Sequence, residues 1–239
     1  MKTTSQFCHE KGQPFLEARA LTKTYQVGTS TVHALQDVDF IAKQGDFIVI
    51  NGPSGSGKTT FLNLISAIDR PSEGEVLIQG VSTNTLSERE LAQLRKDNIG
   101  LIFQTFNLIP VLSAAENAEY PLLLKKIPKA ERSERVRSIL AEVGLADLGR
   151  RRPNELSGGQ RQRIAIARAL ITRPKLVLAD EPTANLDSET GAQVMDLMRK
   201  LNEEHCVVLL VVTHDPAVTK YAQRQIRIHD GRLSEDSQP

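Results

Sequence analysis

Along this chain the apolar positions change period several times. Val32, Ala34, Val38, Phe40 and Ala42 fall mostly on alternate positions among polar neighbours. With the run from Phe15 to Tyr25 before them, they predict half-buried antiparallel strands. Asp46–Asn51 (DFIVIN) predicts a short buried strand that opens into a glycine-rich turn. Phe61, Leu64, Ile65 and Ile68 then recur at i, i+3, i+4 and i+7, one face of a helix. Strand-like runs return at Glu75–Gln79 and Ile99–Phe103.

From about 105 to 157 the chain becomes polar and helical, with Val136, Ile139, Leu140 and Val143 as a helical stripe. That stretch predicts an inserted helical lobe. A helix is expected over Gly158–Ile171, then a buried strand at Leu176–Ala179. A further helix carries Val194, Leu197, Met198 and Leu201 on one face, and a second buried strand spans Val207–Val212. Continuous apolar strands alternating with helices imply a parallel sheet covered on both faces, an α/β class. Residues 1–14 and 233–239 are expected to be tails.

Composition narrows the picture. The 239 residues are 40% hydrophobic and 25% charged, enough apolar content for a real core. The net charge of +1 gives no whole-molecule attraction to nucleic acid, so no nucleic-acid partner is expected. The longest aliphatic run, Val207–Val212, is far short of the ~20 residues that span a bilayer. The 2 cysteines, Cys8 and Cys206, are expected as unpaired thiols. The residues before Cys8 hold no apolar signal region, which argues against a lipid anchor. His205 beside Cys206 lacks further ligands at metal spacing.

Three segments carry chemistry. Gly52, Pro53, Ser54, Gly55, Ser56, Gly57, Lys58 and Thr59 fit the phosphate-binding pattern G-x-x-x-x-G-K-[ST] between a strand and a helix. The glycines let successive N–H groups turn toward phosphate oxygens, and the helix start adds partial positive charge. Lys58 is expected on the β- and γ-phosphates and Thr59 on Mg²⁺, with Thr60 beside them. Leu176–Pro182 (LVLADEP) delivers two carboxylates at a strand end, where open α/β sheets bind ligands. Asp180 is expected to hold Mg²⁺ through its water shell, and Glu181 to polarise an attacking water. Leu156–Gln160 (LSGGQ) opens a helix, so Ser157 and the N–H groups of Gly158 and Gly159 make a second anion site.

With LSGGQ placed between the phosphate loop and the Asp-Glu strand, the chain resembles the ABC ATPase superfamily from about residue 15 to 232. The resemblance implies a P-loop fold: a mainly parallel sheet core, an antiparallel β subdomain and the inserted α-helical lobe. It implies ATP and Mg²⁺ as cofactors and an ATP-dependent homodimer, in which Ser157–Gln160 of one copy cap the γ-phosphate held by the other. It also implies roles for Gln104 (Mg²⁺ and water), for Asn185–Asp187 (the loop crossing the dimer, with Asp187 near nucleotide), for His214 (the γ-phosphate) and for Tyr25 (stacking on adenine). GLIFQTFNLIPVLSAAENAEYPLLL and LADEPTANLD resemble more narrowly the lipoprotein-release and macrolide-export branch, which includes the cell-division ATPase FtsE. Ala184 departs from the glycine common there. The branch implies an integral membrane permease-type partner, a peripheral place on the cytoplasmic face of the inner membrane, and export or force transmission driven by ATP hydrolysis. Regulation of cell-wall enzymes through a membrane protein is the alternative the branch allows. DNA-repair relatives carry long coiled coils, and translation relatives fuse two ATPase domains; neither fits this chain. The apolar side chains of Thr105–Leu124 are expected to include a dock for the partner's cytoplasmic helix, with Leu108 lining it.

Overall fold

The computed structural model describes residues 14–237, with only the backbone of 235–237. The expected tail 1–14 and Cys8 therefore lie outside the described residues, apart from Pro14, which begins a strand. β1 (Pro14–Val27) and β2 (Ser30–Lys43) form a long antiparallel hairpin; β4 (Glu73–Ile78) joins the other side of β1, and β5 (Val81–Ser82) follows it. This is the antiparallel subdomain the alternating positions predict.

The second sheet runs in the order β10-β9-β3-β8-β7-β6. Its members are β3 (Phe47–Asn51), β6 (Ile99–Ile102), β7 (Leu176–Asp180), β8 (Val208–Thr213), β9 (Arg224–His229) and β10 (Arg232–Ser237). All pairs are parallel except β9 with β10. Side chains alternate between the faces of each strand. Phe47, Val49, Val177, Ala179, Leu209 and Val211 join one core cluster with the helices of the inserted lobe. Ile48, Ile50, Leu176, Leu178, Leu210 and Val212 join the other, under α1 (Lys58–Ile65) and the antiparallel sheet. Burial on both faces explains why these strands read as unbroken apolar runs.

The inserted lobe holds α3 (Ala114–Leu124) and α4 (Lys129–Glu142), which pack with α5 (Gly158–Leu170). Buried Asn117 fastens the segment before α3: its Oδ1 accepts from Ile109 N, and its Nδ2 donates to the carbonyls of Ile109, Leu112 and Ser113. α2 (Glu88–Asn98) precedes β6, and α6 (Ser188–His205) precedes β8. α7 (Pro216–Thr219) is a single turn after β8.

Several expectations change. Ile68 is not on the α1 stripe: the helix ends at Ile65, Ala67 takes a left-handed φ of 55°, and Ile68 is left 52% exposed. Residues 233–237, expected as tail, continue β10 because the Asp230–Gly231 turn folds the chain back on β9. Cys206, expected as a free thiol, is disulfide-bonded. His205 sets its ring nitrogen 3.1 Å from Glu142 of α4, so its neighbour is a carboxylate. Among the described residues no helix is long and apolar enough to cross a membrane.

Candidate functional site

Three strands end side by side. Asn51 of β3 pairs with Thr213 of β8, and Asp180 of β7 pairs with Val212. The loop of Gly52–Gly57, the Asp180–Glu181 pair and Thr213–His214 therefore emerge at one edge of the sheet. β6 lies beside β7, with Ile102 opposite Ala179, which brings Gln104 to the same edge.

The phosphate loop is shaped by close packing. A Cβ on Gly52 would sit 2.3 Å from the Ile228 carbonyl oxygen, so no larger residue fits there. Gly57 has φ +104°, and a Cβ on it would lie 2.5 Å from the Ala34 carbonyl oxygen. Lys58 is 9% exposed, and its Nζ donates to the carbonyls of Gly52 at 2.7 Å and Pro53 at 2.8 Å. The ammonium is thus held across the loop by two groups a phosphate could replace. Pro53, Ser54, Gly55 and Thr59 are exposed, while the Ser56 hydroxyl is buried with no hydrogen-bond partner. Ser56 offers its side chain to the interior and its carbonyl to Gly231 N–H at 3.0 Å.

Glu181 is the most constrained residue of the edge. It takes a left-handed φ of 47°, a conformation that costs a non-glycine residue on the order of 1–3 kcal/mol. Its Oε2 accepts from Thr213 Oγ1 at 2.8 Å; its Oε1 accepts from His214 N at 3.0 Å and lies 2.6 Å from His214 Nδ1. A carboxylate has about four acceptor positions, so one remains, on Oε2. Burial raises the Asp180 carboxyl above its ordinary pKa, the neighbouring Glu181 charge adds to this, and Lys58 offsets part of it.

Thr59, Asp180 and Gln104 all lie at this edge of the sheet, and their hydroxyl, carboxylate and amide oxygens are the candidates for a cation. Among the described residues no cluster of three or more His, Cys, Asp or Glu could cage a metal. Few protein oxygens, with a carboxylate destabilised by burial and like charge, suit a hard cation that keeps water and phosphate ligands.

Ser157 caps α5. Its Oγ accepts from Gln160 N at 3.3 Å, and Gln160 Oε1 accepts from Ser157 N at 2.9 Å. By helix geometry this leaves the N–H groups of Gly158 and Gly159 without partners inside α5. Gly159 abuts α6: a Cβ there would meet Thr190 Cγ2 at 2.3 Å. Asp187 caps α6 by accepting from Thr190 N at 2.9 Å, and that backbone bond, with Thr190's side chain, lowers its carboxyl pKa. The LSGGQ segment and Asp187 thus form one surface, next to the start of α6. Tyr25 is 37% exposed, with its hydroxyl donating to Asp69 Oδ2 at 2.9 Å.

Side-chain bonds that the sequence did not suggest tie these loops together. Asn185 Nδ2 donates to the Gln104 carbonyl at 2.8 Å, and Gln162 Nε2 donates to the Pro182 carbonyl at 2.8 Å. Arg168 donates to the carbonyls of Phe106 and Asn107, both left-handed at φ 63° and 48°. Thr213 as a holder of Glu181 has no sequence signal beyond preceding His214. Leu108, expected in a docking groove, packs against the core instead. The groove, of 480 Å³, is lined by Ile68, Leu101, Phe103, Ile109, Tyr120 and Leu124 among others.

Comparison with known proteins places these features. The family model for ABC transporter proteins matches residues 35–184. An uncharacterized ABC transporter ATP-binding protein of Methanocaldococcus jannaschii, MJ0796, is 46% identical over 225 residues, 92% of this chain and 96% of the relative. A solved structure of MJ0796, a dimeric post-hydrolysis state bound to ADP and Pi, aligns with a TM-score of 0.86 at 45% identity, covering 93% of this chain and 98% of that one. The lipoprotein-releasing system ATP-binding protein LolD of Chromohalobacter salexigens is 43% identical over 222 residues, 93% of this chain and 94% of the relative. The macrolide export ATP-binding/permease protein MacB of Burkholderia lata is 42% identical over 225 residues, 94% of this chain and 32% of the relative.

Proposed function

This chain belongs to the ABC transporter family as an ATP-binding, ATP-hydrolysing subunit, and on that premise we propose that it closes head to tail with a second copy around Mg-ATP and drives a partner embedded in a membrane. The observation that carries the reading is the shared edge of β3, β7 and β8, where the phosphate loop, Asp180–Glu181 and Thr213–His214 meet.

Phosphate oxygens enter the loop of Gly52–Gly57, with Thr60 in the first turn of α1 behind it, and take Lys58 from its two loop carbonyls. Thr59, Gln104 and, through its water shell, Asp180 would hold Mg²⁺, which would supply charge neutralisation at the phosphates. Glu181 receives the attacking water at the free position on Oε2. The water oxygen bonds to the γ-phosphorus, the bond to the bridging oxygen breaks, ADP leaves with that electron pair, and the water's proton passes to Glu181. His214 contacts Glu181 through Nδ1, so Nε2 is the atom left for a γ-phosphate oxygen. To donate to both at once the ring must carry two protons. Tyr25 stacks on the adenine.

Ser157, Gly158, Gly159 and Gln160 serve the other copy's γ-phosphate: the two N–H groups free of α5 point to an anion that this chain's own loop does not supply. Asp187 lies beside them at the interface. The groove lined by Phe103, Ile109, Tyr120 and Leu124 receives a helix of the membrane partner, and the subunit works on the cytoplasmic face of that membrane. Likeness to LolD and MacB favours export or force transmission over import.

A mixing experiment tests the composite site. Lys58→Ala and Ser157→Arg should each be inactive, since each ruins both sites of its homodimer. Mixed, they should form heterodimers with one intact composite site, and phosphate release should return to a fraction of wild type. If Ser157→Arg alone hydrolyses ATP normally, the head-to-tail reading is wrong.

A further inference from the structure

Tyr25 does not stand alone at the mouth of the phosphate loop. It lies near the end of β1, opposite Val32 of β2. Its hydroxyl donates to Asp69 Oδ2 at 2.9 Å, with Thr60 of α1 beside it. The other oxygen of the same carboxylate, Asp69 Oδ1, accepts from Lys23 Nζ at 2.8 Å and from Arg70 N at 2.7 Å. Lys23 Nζ donates further to the Arg70 carbonyl at 2.7 Å and stands 5.0 Å from the centroid of the Tyr25 ring. Burial works against the Asp69 charge, but the bonds from Lys23, Arg70 and Tyr25 prevail and hold its carboxyl below the ordinary carboxylate range.

A tie between β1 and the segment after α1 needs only the Lys23–Asp69 pair. Here the second carboxylate oxygen is spent on the tyrosine hydroxyl, and the ammonium lies against the ring. The Lys23 side chain is 13% exposed, whereas Tyr25 is 37% exposed. The Lys23 ammonium is therefore largely covered, while Asp69, 32% exposed, and the ring they hold stay partly open; the bonds to Asp69, rather than burial, fix the ring's orientation before anything lies on it. Asp69 follows the helix that begins at Lys58, so the same helix region positions both the phosphate loop and the ring.

We propose that Asp69 and Lys23 are positioning residues for adenine: they hold the Tyr25 ring in one orientation at the mouth of the phosphate loop, so ATP binding does not have to order it. The proposal rests on the reading that Tyr25 stacks on the base. Ordering one free side chain on binding costs about two- to tenfold in affinity.

The test separates the base end from the phosphate end of the ligand. Steady-state ATP hydrolysis gives KM and kcat, and inhibition by inorganic tripolyphosphate gives an affinity for the phosphates alone. Asp69→Ala should raise the KM for ATP about two- to tenfold, keep kcat within about twofold, and leave tripolyphosphate inhibition unchanged. Lys23→Met, which keeps the stem and drops the charge, should act in the same direction. If Asp69→Ala also weakens tripolyphosphate, the carboxylate merely props the phosphate loop and the proposal is overturned. If Tyr25→Ala raises KM while Asp69→Ala and Lys23→Met do not, the platform stands and its positioning by these residues is wrong. If Tyr25→Ala itself leaves KM unchanged, the stacking reading fails and the proposal with it. Should Asp69→Ala fail to fold, Asp69→Asn is measured in its place against the same outcomes.

Discussion

Replacing Glu181 by glutamine separates the fold of the site from its chemistry. The native carboxylate accepts from Thr213 Oγ1 at 2.8 Å and from His214 N at 3.0 Å, and contacts His214 Nδ1 at 2.6 Å. A glutamine of the same shape keeps its Oε1 for His214. Its amide nitrogen faces Thr213, whose hydroxyl can turn to accept. What disappears is the charge assistance of these bonds, about 1 kcal/mol for each at most, so the variant should fold and bind nucleotide. The free position on Oε2, where water would be polarised, becomes an N–H that cannot take a proton. General-base assistance of ~10²–10⁴ converts to about 3–5 kcal/mol in the barrier. Phosphate release should therefore fall by at least 100-fold, roughly, while the thermal midpoint moves by a few degrees at most. With hydrolysis blocked and binding intact, Mg-ATP should convert the variant from monomer to dimer on size-exclusion chromatography with light scattering. A variant that stays monomeric and releases phosphate at the wild-type rate would refute the assignment of Glu181 and the coupling of dimer opening to hydrolysis.

Three further substitutions probe other parts of the structure. Asp180→Asn should stabilise the nucleotide-free protein at neutral pH, because it removes a carboxylate disfavoured by burial and by Glu181, and should abolish turnover. Since the native pKa of Asp180 is raised, its contribution favours the fold below the ordinary carboxylate pKa and is lost as pH rises through the native value. The stability gap to the Asn variant should accordingly widen with pH in thermal melts, and a gap that narrows would contradict this account. Gly159→Ala should destabilise by about 1–3 kcal/mol, because its Cβ would lie 2.3 Å from Thr190 Cγ2; adding Thr190→Ser, which deletes that methyl, should restore most of the loss in urea unfolding. Tyr120→Glu puts a charge into the groove and should weaken capture by the membrane partner while leaving the basal ATPase rate unchanged; equal capture would exclude this groove as the dock.

What was legible in the sequence was whatever depends on local pattern. The strand–loop–helix around Lys58 and the strand ending in Asp180 could be read because β3 and β7 are buried on both faces and so are apolar throughout. α2 leaves little trace in the sequence because only Leu91 of its residues is buried, which gives almost no periodicity, although Ser87 and Glu90 form a capping box. β9 and β10 were readable in principle: Ile226 and Ile228 alternate with Gln225 and Arg227 before an Asp-Gly turn. Ile68 fits the helical period but lies beyond the break at Ala67, where the backbone turns left-handed. Leu108 and Ile109 are neighbours of similar character, and only the packing of α3 and α5 decides which one enters the core. Contacts such as Lys23 with Asp69 join residues far apart in the chain, and no local pattern encodes them.

The bonds between loops carry the last step of the argument. Gln104, Glu181 and the Asn185–Asp187 segment belong to different connections, and the sequence alone treats them as separate motifs. In the structure the Asn185 amide holds the Gln104 carbonyl, and the buried Gln162 of α5 holds the carbonyl of Pro182, next to Glu181. Arg168, on the same helix, holds two consecutive left-handed residues just after Gln104, and Asn107 lines the groove. Burial lowers the Arg168 pKa. A buried amide or guanidinium that loses its acceptor pays the full desolvation penalty, about 1–3 kcal/mol. That penalty falls on the buried Gln162 bond, whereas the Asn185–Gln104 bond is exposed and can be exchanged for water. One helix, α5, thus begins at the LSGGQ surface, braces the loop after Glu181 along its length, and ends beside the groove. The site edge, the dimer-facing surface and the groove are linked by named hydrogen bonds, and the buried Gln162–Pro182 bond is the one that resists a shift of the loop after Glu181 against α5.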